Sequence, residues 1–288
     1  MKRRVFLFVM IAMLGLAACQ ESKDVEKQGV TETPEATVTA VPEEEPEATV
    51  TPEPTATPVP TATPEPTATP VPTATPLPEG VVELSDAKVG ATVLFGSYEQ
   101  DNKTGNGAEK IQWYVLDRKG DEVLLFSKYL LDVKAFHSDY VEYITWEECT
   151  LRTWLNNDFY NTAFTDDEKA FIKLSKLTTN GNNFYKSVGG GNDTEDNIFV
   201  LSTNECRDYF LMDTSSDMGW KSEDDRLLAE KTKYTSGRAT GGNGWWTRTP
   251  GAMYNVVTGG GYFSMYGTEC DEWEKICVRP ALWLDLNP

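Results

Sequence analysis

The sequence contains a single histidine, His137, among its 288 residues. Metal sites built from several histidines are therefore excluded, and only His137 could serve as the base of a Ser/His or Cys/His catalytic unit. The chain also lacks a G-x-S-x-G nucleophile turn, a phosphate-binding glycine loop and a dinucleotide fingerprint. His137 lies in a predicted loop without a nucleophile motif to partner it, so we interpret it as a surface residue. The sequence predicts no cofactor, no metal site and no catalytic residue.

Basic residues are scarce: 26 Lys and Arg stand against 45 Asp and Glu, which gives a net charge of −19. A chain this acidic repels the phosphate backbone, so nucleic acid is not expected as a partner. Aromatic residues are absent from the segment between Gln20 and Gly80, which holds thirteen of the sixteen prolines. Such a segment cannot bury enough apolar surface to offset the loss of chain entropy. We therefore predict a disordered stalk rich in Pro, Thr and Glu.

The N-terminus has the features of an export signal. Lys2, Arg3 and Arg4 precede an apolar run over residues 5–18 that is short for a permanent membrane helix. The sequence Leu16-Ala17-Ala18-Cys19 resembles the bacterial lipoprotein signal, which implies cleavage before Cys19 and diacylglycerol on its thiol. Two acyl chains hold a protein stably on a bilayer. We expect a signal peptide over 1–18, a lipidated stalk over 19–80 and a folded domain over 81–288. The mature protein is expected to be extracytoplasmic, anchored by its lipid to the outer face of the cell membrane.

Hydrophobic patterns and turn residues predict an α+β fold for this domain. Strands are expected over 92–98, 111–117 and 122–129, the last two forming a hairpin around Lys119-Gly120-Asp121. Capping boxes predict helices that begin at Thr145, Thr165 and Ser202, and a weaker pattern predicts one over 222–231. Short strands are expected over 198–201, 245–249, 254–257, 262–266 and 277–284. Strands at both ends with helices between them are typical of an α+β domain.

The four cysteines of the domain lack redox-motif spacing. Cys270 and Cys277 are close enough in sequence to form a disulfide across a loop. Cys149 and Cys206 fall on predicted helices and could equally be buried thiols. We interpret all four as structural.

The aromatic C-terminal third suggests a binding surface. Trp245 and Trp246 follow a glycine-rich loop, and in an extended strand their rings would point to opposite faces. An outward ring near Tyr254, Tyr262 or Tyr266 would provide a stacking platform for sugars or peptides. The alternative is that both tryptophans belong to the core.

Three arginines, Arg152, Arg248 and Arg279, stand close to apolar residues. Buried arginines need partners, so we predict structural ion pairs with carboxylates for Arg248 and Arg279, and a structural role for Arg152.

Five ordered segments resemble a domain of unknown function found on surface proteins and lipoproteins of Gram-positive gut bacteria. They are Trp113-Tyr-Val-Leu116, Trp146-Glu-Glu-Cys-Thr-Leu-Arg152-Thr-Trp-Leu-Asn156, Asp196-Asn-Ile-Phe-Val-Leu-Ser202, Trp245-Trp-Thr-Arg248-Thr-Pro250-Gly251 and Val278-Arg-Pro-Ala-Leu282. The last two are also similar to the C-type-lectin-like fold of formylglycine-generating enzymes and their binding-only relatives. No cysteine lies between Trp246 and Cys270, whereas those enzymes need a cysteine pair there. The resemblance therefore implies binding rather than catalysis.

These observations favour a lipid-anchored, non-catalytic recognition domain whose ligand is a glycan, a cell-wall polymer or a surface protein. Two alternatives stay open: a glycan- or wall-processing hydrolase that uses a carboxylate pair, and a purely structural surface protein. The bilayer is the expected partner of Cys19.

Overall fold

The computed structural model describes residues 76–183, 188–216, 219–250, 256–257, 262–264, 268–272 and 275–288. They lie within one compact unit, Pro70–Pro288. The export signal, Cys19 and most of the stalk lie outside the described residues. Within the described ranges, no helix is both long enough and apolar enough to span a bilayer.

The domain is α+β, as the sequence predicts. Its strands are β1 Thr92–Tyr98, β2 Glu109–Lys119, β3 Glu122–Ser127, β4 Asp132–Val133, β5 Ser175–Leu177, β6 Thr194–Asp196, β7 Gly219–Lys221, β8 Trp245–Trp246, β9 Val256–Val257, β10 Tyr262–Ser264, β11 Cys277–Val278 and β12 Ala281–Asp285. Its α-helices are α1 Thr150–Trp154, α2 Tyr160–Ala163, α3 Asp166–Phe171, α4 Thr203–Tyr209 and α5 Lys233–Ser236. A π-helical turn, Leu155–Phe159, joins α1 to α2, and 3-10 turns occupy Leu84–Asp86 and Trp146–Glu148.

An antiparallel sheet with the strand order β1-β2-β3-β12 is the main layer of the fold. The predicted hairpin is confirmed: β2 and β3 pair from Trp113↔Ser127 to Lys119↔Glu122. Trp113 is fully buried, and its indole N–H donates to the carbonyl of Phe95 in β1 at 2.7 Å. The C-terminal strand β12 completes the sheet by pairing with β3.

Gly96 allows the helical region to pack against β1. It has a φ of +68° and lies where the β1–β2 register shifts. A Cβ atom at this position would lie 2.5 Å from the Phe164 ring and 2.8 Å from the carbonyl oxygen of Ala163. Only glycine combines this backbone conformation with so close an approach.

Two smaller sheets complete the domain. One has the order β4-β11-β8-β9-β10-β7, in which β11 and β8 are parallel, and the other pairs β5 with β6. Each predicted strand of the C-terminal third has a counterpart; the one over 245–249 is reduced to Trp245–Trp246, and the one over 277–284 is divided into β11 and β12. The apolar segment 198–201 is buried but forms only a bridge between Phe199 and Ala281.

Two of the three predicted capping boxes are confirmed. Thr165 with Glu168 begins α3, and Ser202 with Glu205 begins α4. The prediction at Thr145 is wrong, because the backbone at Cys149 is extended and α1 begins only at Thr150, with the Cys149 sulfur accepting from the amide of Arg152. The hydroxyl of Thr145 is buried without a hydrogen-bond partner.

The weakly predicted helix over 222–231 is also wrong. Asp224 accepts from the backbone N–H and the guanidinium of Arg226, which stabilises a turn. The carbonyls of Arg226 and Leu227 accept from Arg279, so they are directed to a tertiary partner instead of an intrahelical one. A short helix, α5, follows this segment.

Candidate functional site

The two adjacent tryptophans do not form an exposed platform. Trp245 and Trp246 are both 0% exposed. The Trp245 ring packs 5.4 Å from Phe126, whereas Trp246 packs 5.6 Å from Phe136 and donates its indole N–H to the carbonyl of Lys134. Their rings are covered on both sides of β8, so the prediction of an outward tryptophan is wrong.

Of the three tyrosines predicted to lie beside these tryptophans, one is among the residues that the structure describes. Tyr262 lies in β10 and is 36% exposed. Tyr254 and Tyr266 lie outside the described residues. A site built on these aromatics therefore has Tyr262 as its one surface ring among those described.

Arg248 forms the ion pair that the sequence predicts. Its guanidinium is buried and donates to both carboxylate oxygens of Glu205. Glu205 is also the third residue of the α4 capping box, where it accepts from Ser202. Arg248 further donates to the carbonyl of Val200 at 2.9 Å. The hydrogen bond to Val200 joins the Trp-Trp-x-Arg segment to the Ile-Phe-Val-Leu-Ser segment.

Arg152 is paired with a buried carboxylate, that of Asp196. Asp196, which is 1% exposed, accepts from the Arg152 Nε at 2.6 Å and from the Trp146 indole at 2.9 Å. Asn156, one turn after Arg152, accepts from the backbone N–H groups of Asn197 and Ile198. The polar residues of these two motifs therefore bond to each other.

Arg279 corrects the prediction of a carboxylate partner. It is fully buried and donates to three backbone carbonyls, those of Ser127, Leu227 and Arg226, at 2.9, 2.8 and 2.7 Å. Its guanidinium also lies over the rings of Phe126 and Trp245. Burial lowers the pKa of Arg279 to about 9, so it remains cationic at neutral pH.

The predicted disulfide is absent as well. Cys270 and Cys277 are both free and buried, as are Cys149 and Cys206. Cys277 pairs in β11 with Val133 and Trp245, whereas the Cys270 sulfur faces the carbonyls of Asp139 and Val141. The two sulfur atoms therefore lie in separate surroundings, and each thiol is buried without being joined to the other.

A cleft of about 510 Å³ opens beside the glycine loop that precedes Trp245. Its lining comes from the first sheet, from the turn segment before α5 and from the glycine loop. The lining residues are Tyr114, Lys128, Tyr129, Asp225, Leu228, Ala229, Glu230 and Asn243. The glycine loop thus borders a cleft, as a recognition loop would, but contributes Asn243 rather than a tryptophan.

Hydrogen bonds from the interior of the domain hold the backbone of the cleft wall formed by residues 225–230. Arg279 holds the carbonyls of Arg226 and Leu227, and the amide of Leu130 donates to the carbonyl of Glu230 at 2.9 Å. Lys231 donates to the carbonyl of Gly241, which ties this wall to the glycine loop. The cleft is consequently preorganised by backbone contacts.

Two half-buried tyrosines give the cleft its apolar surface. The Lys128 ammonium lies 6.0 Å from the centroid of the Tyr114 ring and 5.7 Å from that of Tyr129. Burial raises the pKa of Tyr114, while the nearby positive charge of Arg279 acts in the opposite direction. A phenol can both donate and accept hydrogen bonds.

The sequence contained a signal for Tyr114 that our interpretation missed. Along β2, Ile111, Trp113 and Val115 are buried, so the period of two turns Tyr114 towards the other face. Tyr129 lacks such a signal, because it follows the end of β3. Its place in the cleft depends on where the segment before α5 crosses the sheet.

Among the described residues, one trio of carboxylates could hold a metal ion. Glu99, Asp101 and Glu109 bring oxygen atoms within 4.8 Å of one another. Glu109 already accepts from the amides of Gln100 and Asp101, and the side chain of Asp101 accepts from Lys103 and Asn106. These hydrogen bonds stabilise a turn, and the turn explains why the three carboxylates lie close together.

His137 has a structural contact. Its Nδ1 accepts from the backbone N–H of Thr150, the first residue of α1, at 3.3 Å. It therefore contributes to the start of that helix.

Comparison with known proteins identifies a family without an assigned activity. Residues 120–286 match the domain of unknown function DUF6273, which spans more than half of the chain. Strands β3 to β12 fall within the match, whereas β1 and β2 precede it. No curated protein and no solved structure is significantly similar to the chain, so the distant similarity to C-type-lectin-like folds stays a prediction. The chain belongs to the DUF6273 family.

Proposed function

We propose that this protein is a lipoprotein, anchored through Cys19 at the outer face of the cell membrane, which displays a non-catalytic domain for carbohydrate recognition. The ligand would bind in the cleft between Tyr114, Tyr129 and Asn243. One observation carries the proposal: two half-buried tyrosines meet in a cleft whose rim offers amide, carboxylate and ammonium groups.

The chemistry of this cleft suits a sugar. Tyrosine combines an apolar ring, on which the C–H face of a pyranose can pack, with a hydroxyl that can bond to a sugar hydroxyl. Asn243 adds an amide that both donates and accepts, which matches the hydroxyl groups of a saccharide. The preorganised wall means that little ordering of the protein is needed on binding.

The experiment that tests this proposal is binding of the full-length protein, purified in detergent, to a glycan array and to insoluble peptidoglycan. A Tyr114→Ala/Tyr129→Ala variant should lose saturable binding. The matched control is Tyr140→Ala/Tyr143→Ala, which removes two tyrosines that are 63% and 47% exposed and do not line the cleft. Thermal unfolding of both variants checks that they are folded.

Retention of binding by the folded Tyr114/Tyr129 variant would show that the cleft is not the site. Absence of binding to any glycan or wall preparation would disprove carbohydrate recognition. In that case a protein ligand or a structural role becomes the better interpretation.

A hydrolase is the second candidate, because two carboxylates, Asp225 and Glu230, line the same cleft. Paired carboxylates carry out glycoside hydrolysis when their separation fits the mechanism. The two functions are distinguished by product: a hydrolase releases reducing sugar from the bound glycan, and Glu230→Gln would abolish that release while leaving binding intact.

The anchor is tested separately. Metabolic labelling with a radioactive fatty acid should mark the wild-type protein and leave a Cys19→Ala variant unlabelled. Labelling of both proteins, or of neither, would contradict the proposed anchor.

A further inference from the structure

We propose that the saccharide recognised by the Tyr114–Tyr129 cleft is acidic, and that its carboxylate binds the ammonium group of Lys128. This inference rests on the proposed function, since it concerns the ligand of the same cleft. It adds the chemical class of the sugar and the residue that selects it.

Within the part of the chain that the structure describes, Lys128 is a cation without an anionic partner. Its ammonium donates to the neutral amide oxygen of Gln112 at 3.3 Å. Among the described residues no carboxylate lies within ion-pair distance of it, although the chain carries 45 acidic residues. By contrast, the neighbouring Arg226 is paired with Asp224 at 2.7 Å. The ammonium of Lys128 is therefore available to a ligand.

The tyrosine rings do not hold Lys128 tightly. Its distances of 6.0 and 5.7 Å from the two ring centroids lie at the outer limit of a cation–π contact. A neutral sugar that packs on these rings would have to share them with a charged group. An acidic sugar bound on these rings would place its carboxylate next to the ammonium of Lys128. The two groups would then form a charge-assisted hydrogen bond.

A second positive charge, that of Arg279, lies beneath the Tyr114–Tyr129 cleft. Arg279 is fully buried, and its hydrogen bonds among the described residues all go to backbone carbonyls, while the carboxylate of Asp224 acts on it only through its charge. The positive charges of Arg279 and Arg226 act on the phenol of Tyr114 in the cleft, against the opposing charge of Asp224. Both Lys128 and Arg279 therefore favour a negative group that enters between the tyrosines.

The rim of the cleft limits how much negative charge the ligand can carry. Asp225 and Glu230 are exposed there, so a closely spaced polyanion would meet like charges at the rim. A saccharide with isolated carboxylates satisfies both conditions. We therefore assign uronic-acid-containing saccharides as the class of ligand, in preference to phosphate polymers.

The test uses matched probes on the full-length protein in detergent. The first probe is an oligosaccharide of alternating neutral sugar and glucuronic acid, and the second is the same oligosaccharide with its carboxylates reduced to alcohols. The wild-type protein should bind the first about tenfold more tightly than the second, the size expected for one hydrogen bond to a charged group. Lys128→Met should abolish this preference, whereas Lys128→Arg should retain most of it.

Lys134→Met is the control, because Lys134 also lies over an aromatic ring, that of Trp154, but outside this cleft. Its variant should keep the preference. Equal binding of both probes by the wild type, or an unchanged preference in Lys128→Met, would overturn the proposal. Failure of the proposed function looks different: neither probe binds, or the Tyr114→Ala/Tyr129→Ala variant still binds.

Discussion

The guanidinium of Arg279 lies 4.0 Å from the centroid of the Phe126 ring. This stacked cation also bonds to the strand end at Ser127 and to the segment that forms one wall of the cleft. A single buried side chain therefore joins the β11–β12 connection, the end of β3 and the candidate binding site.

Substitution of Arg279 should destabilise the whole domain. Arg279→Lys is expected to lower the free energy of unfolding by about 3 kcal/mol, because one ammonium cannot reach three separate carbonyls and buried carbonyls would lose their donors. Urea unfolding followed by tryptophan fluorescence measures this effect. Arg238→Lys is the control: Arg238 stacks on Tyr234 but is exposed, so we expect a change within about 0.5 kcal/mol. Similar small effects from both variants would contradict the structural role of Arg279.

The two capping boxes offer a matched pair of glutamates. Glu205→Gln keeps an acceptor for the helix N-terminus but removes the charge that neutralises the buried Arg248, so the expected loss of stability is about 3 kcal/mol. Glu168→Gln occupies the same position in α3, where the ion-pair partner, Lys110, is exposed. Its loss should remain below about 1 kcal/mol. Equal losses in the two variants would mean that the Arg248 pair adds nothing beyond capping.

The four thiols of the domain should be free and protected. A thiol reagent added to the native protein under non-reducing conditions should react slowly with Cys149, Cys206, Cys270 and Cys277, because all four residues are buried. After unfolding in denaturant, all four should react, in addition to Cys19 if that thiol is unacylated. A count of two would reveal a disulfide and contradict the structure.

Alkaline pH should weaken the fold. Burial raises the pKa of Cys149 to about 12 and that of Cys277 to about 11, so both thiols keep their protons in the folded state while the unfolded chain releases them above pH of about 9. Unfolding then releases protons, and each thiol lowers the free energy of unfolding by up to about 1.4 kcal/mol per pH unit. The raised pKa of Tyr98 acts in the same direction at higher pH, whereas the lowered pKa of Arg279 opposes it.

Urea unfolding at pH 8, 9 and 10 measures this dependence. A Cys149→Ala/Cys277→Ala variant should show a shallower decline than the wild-type protein, after correction for its lower stability at pH 8. Parallel declines in the two proteins would assign the alkaline effect to other groups.

Local signals predicted those elements whose partners are close in sequence. The turn at Gly120 and the alternation on either side of it were sufficient for the β2–β3 hairpin, and the boxes at Thr165 and Ser202 marked two helix starts. The box at Thr145 failed because the indole of Trp146 bonds to Asp196, fifty residues away, and this contact fits a single 3-10 turn.

The candidate site was harder to predict, because it is assembled from distant segments. The alternation of side chains along a strand places Trp245 and Trp246 on opposite faces of β8. It does not predict which residues cover each of these faces. Phe126 and Phe136 provide that cover, and both come from a different part of the chain. The glycine loop before Trp245 borders the cleft, whereas the aromatic rings in the cleft belong to β2 and to the segment that follows β3.

The position of β12 has a consequence for biosynthesis. Residues 281–285 leave the ribosome long after Glu122–Phe126, the segment with which they pair. The first sheet cannot be completed until β12 has been made, so a nascent protein or one truncated before β12 keeps an unpaired edge at β3. Quality-control proteases that recognise such an edge would remove chains that lack β12.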